Sequence, residues 1–114
     1  MPMLKIQTNA VLSADDGKAL VAEASRAVAA LLGKPERYVM VSLETEATMA
    51  FAGDTSPLAY LEMKSVGLPQ GNTTALSKAL CDLVKTKLGV PTDRIYIEFA
   101  DAKGALWGWN GGTF

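Results

Sequence analysis

The chain repeats itself. Leu32-Gly33-Lys34-Pro35-Glu36-Arg37 in the first half is matched by Leu88-Gly89-Val90-Pro91 in the second, with Asp93-Arg94 following one residue late. Each copy is a helix stop: the glycine ends the helix and the proline prevents its continuation. Ahead of the first copy, Leu20, Ala24, Ala27, Val28 and Leu31 recur at helical spacing behind Ser13-Ala14-Asp15-Asp16. That opening supplies a capping hydroxyl and two acids for the positive end of the dipole. Ahead of the second copy, Leu76, Leu80, Leu83, Val84 and Leu88 form the same stripe behind a cap at Asn72, Thr73 or Thr74. Strand patterns flank both helices, at residues 3–8 and 37–44 and again at 58–66 and 94–99. Residues 49–53 read as a short extended piece, and Asp54-Thr55-Ser56-Pro57 as a turn. Strand, helix, strand is a βαβ unit, whose crossover is right-handed almost without exception. Two such units predict an α/β (α+β) fold: one four-stranded sheet with both helices on a single face. The offset is about half the chain, so the pattern reads as a duplication within one domain, residues 1–114, and not as a solenoid.

That layout leaves the second sheet face bare. It carries Tyr38, Met40, Ser42, Tyr60, Glu62, Lys64, Tyr96 and Glu98. A solvated face would explain the charges. Met40, the three tyrosines and an aromatic tail holding Trp107, Trp109 and Phe114 point instead to a partner chain or a ligand.

Composition removes several classes of chemistry. The formal net charge is -1 with no basic block, so nothing favours a nucleic-acid partner. No apolar run nears the ~18 residues of a membrane span, so no membrane partner is expected. No cationic leader precedes a long apolar stretch. The expected location is the cytoplasm, with secretion lacking a signal peptide as the alternative. Cys81 is the only cysteine, which rules out an intrachain disulfide, and it falls beside the stripe of the second helix, where a structural role suffices. There is no histidine, which excludes Ser-His-Asp and Cys-His nucleophiles and leaves no ordinary zinc ligand set. No phosphate-cradling glycine motif is present. Neither a metal nor a cofactor is expected.

Proton transfer would then fall to Asp, Glu, Lys, Tyr, Cys81 or the N-terminal amine. The chain opens Met1-Pro2-Met3. Removal of Met1 would turn the Pro2 nitrogen into a free secondary amine. An α-amino group titrates near ~8, far below lysine at ~10.4, and can serve as a neutral base at physiological pH. The plain alternative is a proline that merely follows the start codon.

Met1-Pro2-Met3, Thr8-Asn9, Gly33-Lys34-Pro35, Met49-Ala50-Phe51, Ser65-Val66-Gly67, Asp93-Arg94-Ile95-Tyr96-Ile97, Gly108-Trp109-Asn110 and Thr113-Phe114 stand together in one order. That ordered set resembles the macrophage migration inhibitory factor family of the tautomerase superfamily over the full length. D-dopachrome tautomerase is the close relative. The resemblance implies a homotrimer with pockets between subunits and no metal or cofactor. It also implies keto–enol tautomerisation of phenylpyruvate-like or dopachrome-like substrates, small aromatic ketones and keto acids. On it, Pro2 is the general base and Lys34 steadies a carboxylate or enolate oxygen. Tyr96 comes from the neighbouring subunit to orient the substrate. Ser65 and Val66 match the carboxylate-binding stretch, the latter through its backbone N–H. Met3, Tyr38, Trp109 and Phe114 match the apolar wall. Without the resemblance, Lys34 reads as a solvated loop lysine and Tyr96 as a sheet aromatic.

Three departures stand out. Glu98 replaces an asparagine two residues after Tyr96, and Trp107 replaces a valine before the Gly-Trp pair. Both fall at the implied rim, where Glu98 is expected to disfavour anionic substrates and Trp107 to crowd the mouth. The Cys-x-x-Cys of the family is Leu58-Ala59-Tyr60-Leu61 here, so thiol-oxidoreductase chemistry is not expected. The alternative function is a cytokine-like signalling or interaction protein with a vestigial pocket; no receptor is legible.

Overall fold

The computed structural model describes residues 1–114. Its main elements are β1 (Met3–Thr8), α1 (Ala14–Leu32), β2 (Met40–Glu44), β3 (Ala59–Val66), α2 (Thr73–Leu88) and β4 (Ile95–Ala102), followed by a small hairpin of β5 (Gly108–Trp109) and β6 (Gly112–Thr113). The four long strands form one sheet in the order β2-β1-β3-β4. Each βαβ half contributes a parallel pair, and the two halves join through the antiparallel pair β1–β3. The expected duplication is therefore the architecture.

Period-2 patterning decides which face is covered. Leu4, Ile6 and Thr8 of β1 and Ala59, Leu61, Met63 and Ser65 of β3 are buried, while the residues between them are not. Ala24 and Val28 of α1 and Leu76, Leu80 and Val84 of α2 pack into the same cluster as Leu4, Ile6, Leu61 and Met63. Both helices thus lie on one face. Thr8 and Ser65 are the buried polar exceptions, and their hydroxyls are satisfied by donating to the carbonyls of Leu58 at 2.7 Å and Val66 at 3.2 Å.

The helix ends differ in one respect from expectation. Ser13 caps α1, its Oγ accepting from the Asp16 N–H at 3.1 Å, and Gly33 closes it in the left-handed region at φ 62°. At α2 the capping position is Asn72, whose side chain makes no cap bond. A short 3-10 turn, Gln70–Asn72, leads into the helix instead, with the Thr73 hydroxyl donating back to the Gln70 carbonyl.

Three strand limits also move. The strand expected at 37–44 begins at Met40, because Glu36–Tyr38 fold into a 3-10 turn after Pro35. Tyr38 therefore leaves the strand alternation. The strand expected at 94–99 starts at Ile95 and runs on to Ala102, since it pairs along the whole of β3. The extended piece at 49–53 is a tight turn: Phe51 and Asp54 pair across Ala52 and Gly53, both at positive φ, the geometry of a type I′ hairpin. Arg94 fastens that turn to the start of β4, donating to the carbonyls of Phe51, Asp54, Ser56 and Pro57.

Candidate active site

Pro2 stands just ahead of β1, where the starts of β1 and β2 meet the end of β3. Its carbonyl accepts from the Met40 N–H at 3.0 Å, and the residue is fully buried. It lies in the wall of a cavity of ≈ 240 Å³ shared with Met1, Met3, Tyr38, Met40 and the chain's aromatic tail. Ligand pockets for drug-sized molecules run ~300–1,000 Å³, so this space suits a compact, one-ring molecule.

The wall is aromatic because the tail folds back. Trp109 and Phe114 stack at 5.5 Å, and Tyr38 meets each of them edge-on, at 5.6 and 5.8 Å. The β5–β6 hairpin brings the tail around, and Gly104 lets it close. A Cβ at position 104 would stand 2.6 Å from the Phe114 carbonyl carbon, so only glycine permits that approach. Trp107 also lines the cavity. The offset of Tyr38 from strand alternation is what turns its ring toward this tail.

The electrostatics favour a neutral amine here. The Met1 amino group is held below the ordinary α-amino range, first by burial and then by the positive charge of Lys34. Both effects act against the charged form. The Lys34 Nζ stands 4.0 Å from where a Cβ of Gly67 would lie, so this cation sits between the amine and the turn after Val66. The sequence-expected residues Pro2, Met3, Tyr38, Trp107, Trp109 and Phe114 line one cavity; Lys34 stands outside its wall and acts on the Met1 amine through its charge, and Val66 is not among the lining residues.

Others are not at this place. The Ser65 hydroxyl is buried on the helix side of the sheet and donates to the Val66 carbonyl at 3.2 Å, so it offers the cavity no side-chain contact. Tyr96 is the second residue of β4, paired with Tyr60, which is paired in turn with Gln7. That is two strands across and about five residues along from Pro2, roughly 20 Å at ~4.8 Å per strand and ~3.4 Å per residue. A Tyr96 side chain cannot reach the Pro2 of its own chain. It is 65% exposed and its ring lies 4.7 Å from that of Phe51, in a second cavity of ≈ 270 Å³ lined by hydrophobic residues that include Met49, Leu58 and Tyr60. Glu98 lies on the same bare face and accepts the Tyr60 hydroxyl at 2.5 Å. The bond pushes the Tyr60 phenol up to about 12, with burial and the Glu98 charge adding to it.

Met1, Arg37, Val39, Met40 and Gly108 line the cavity without having been singled out as site residues, and of these Arg37 alone carries a charged side chain. Arg37 lines the cavity with its guanidinium carbon 4.8 Å over the Tyr38 ring. Read as the first residue of a strand, it carried no signal; only the 3-10 turn brings it to the site.

The chain is thus a duplicated βαβ domain with its second residue, a proline, buried at an aromatic cavity. The model of the family described as Macrophage migration inhibitory factor (MIF) matches residues 1–114, and the chain belongs to that family. Macrophage migration inhibitory factor of Meriones unguiculatus is 36% identical over 115 residues, covering 100% of this chain and 99% of the relative. The homolog from Brugia malayi is 36% identical over 116 residues with the same coverage. Among solved structures, the homologue from Prochlorococcus marinus superposes with a TM-score of 0.93 at 45% identity, covering 98% of each chain. The structure from Trichinella spiralis gives 0.90 at 34%, covering 98% of this chain and 99% of that one.

Proposed function

We propose that this chain is a cofactor-independent isomerase that interconverts keto and enol forms of small aromatic keto acids, with phenylpyruvate or a dopachrome-like compound as a suitable substrate. The observation that carries the reading is the fully buried Pro2 at the cavity, beside an N-terminal amine whose charged form is disfavoured by burial and by Lys34. With Met1 removed, the Pro2 nitrogen becomes that amine and meets the same two influences. It takes a proton from the carbon next to the ketone: the C–H bond breaks, an N–H bond forms, and charge moves to the ketone oxygen. The Lys34 ammonium stabilises that oxygen or the adjacent carboxylate. The proton then passes from the Pro2 ammonium to the enolate oxygen, which leaves the amine neutral for the next cycle.

The aromatic wall of Tyr38, Trp109 and Phe114 holds the substrate ring. Tyr96 completes the site from a neighbouring copy in a homotrimer, since its own Pro2 lies out of reach. The test is phenylpyruvate enolisation by protein whose N-terminus is Pro2. Pro2→Gly in an intact assembly should lower kcat/KM by about 10²-fold or more, the range of a lost general base. Unchanged turnover in that variant would remove Pro2 from the mechanism. An assembled, correctly processed protein with no turnover at all would favour an interaction protein with an idle pocket.

A further inference from the structure

Arg37 is the charged side chain in the cavity wall that the proposed mechanism leaves unused. The chain has three arginines, and their environments differ. Arg94 spends its donors on four backbone carbonyls. Arg26 lies exposed on α1, away from the cavity. Arg37 makes no side-chain hydrogen bond and belongs to none of the three ion pairs, yet its guanidinium is fixed over the face of Tyr38. No aspartate or glutamate lines the cavity. A guanidinium offers five donors in a planar fork that matches a carboxylate. Here the fork is held at one side of an aromatic slot and has no partner in the chain.

Lys34 provides a second cation, and the two differ in position. Lys34 lies toward the amine and Gly67, where the keto-acid end of a substrate would react. Arg37 lies over Tyr38, against the ring that would hold the substrate's aromatic part. We infer that Arg37 is a specificity-determining residue that recognises a second anionic group on the ring end of the substrate, so that the preferred substrates are aromatic keto acids with two acid groups. The inference rests on the proposed tautomerase reading for the way the substrate is oriented. Arg37 is exposed, so its effect is screened by salt, unlike one from packing.

The experiment compares phenylpyruvate with its para-carboxylated analogue, using protein with a Pro2 N-terminus, the Arg37→Gln variant and the Arg37→Lys variant. Charge-assisted, forked hydrogen bonds at a part-exposed site support about a tenfold lower KM for the dianion in the unmodified protein. Arg37→Gln should raise that KM about tenfold, several-fold more than it raises the KM for phenylpyruvate. Arg37→Lys should recover part of the loss, and high salt should shrink the difference. Binding of cinnamate and 4-carboxycinnamate, which have no ketone to enolise, is measured alongside by calorimetry. If neither keto acid is turned over but 4-carboxycinnamate still binds more tightly in an Arg37-dependent way, the tautomerase reading fails and the role of Arg37 stands. Equal affinity for the one-acid and two-acid probes, or equal weakening of both by Arg37→Gln, overturns it.

Discussion

The Tyr60 hydroxyl lies 2.5 Å from Glu98 and 3.3 Å from Glu62, two carboxylates directly paired across β3 and β4. Its donated proton, together with the Lys64 ammonium 3.6 Å from Glu62, offsets the repulsion between those like charges. The phenol's pKa is raised above its unfolded value, so the bond's contribution is fully present below pH ~10 and is lost as pH rises through about 12. Ultraviolet titration should therefore find one of the three tyrosines ionising late, and Glu98→Gln should return it toward ~10. Three tyrosines that all ionise together near ~10 would contradict the geometry. Residue type gave a signal for Pro2 and the tail aromatics, whereas Lys34 was singled out only by the family resemblance. Residue type gave none for Arg37 or Ser65. The place of Arg37 depends on a 3-10 turn that replaces the first residues of an apparent strand, and Ser65 follows the buried parity of β3.

At the scale of elements, the two halves repeat in outline and differ in their helix starts. Ser13 makes a side-chain cap bond and Asn72 makes none. Ser13→Ala should cost about 0.5–2 kcal/mol in urea unfolding, whereas Asn72→Ala should stay within about 0.5. Equal losses would mean that the α2 cap forms in solution after all. The order strand-helix-strand twice over, the covered faces and the helix stops were all readable from period and punctuation. The strand ends were not, because pairing partners set them: β4 extends to Ala102 to match β3, and β2 waits for Met40 to reach the Pro2 carbonyl. The turn at residues 51–54 was obscured because Ala52 takes a positive φ that its side chain does not advertise.

For the whole molecule, the separation of Tyr96 from Pro2 within one chain makes a shared site the central structural expectation. Light scattering should give a mass near three chains. Copies carrying Pro2→Gly mixed with copies carrying Tyr96→Phe should regain activity that neither has alone, because some mixed interfaces pair an intact base with an intact tyrosine. No recovery after verified exchange would confine the site to one chain. The sheet's bare face and its exposed Met40 and Tyr96 signalled a partner in the sequence, but the number of copies is a property of surfaces that one chain does not contain. The central claim is that the Pro2 nitrogen is the base, and it can be tested on the unsubstituted protein in two forms. One preparation retains Met1 and the other begins at Pro2, each verified by mass spectrometry. An amide nitrogen has no useful basicity, so phenylpyruvate enolisation should belong to the Pro2-terminated form and fall by about 10²-fold or more when Met1 is kept. Equal turnover by the two forms would contradict the account.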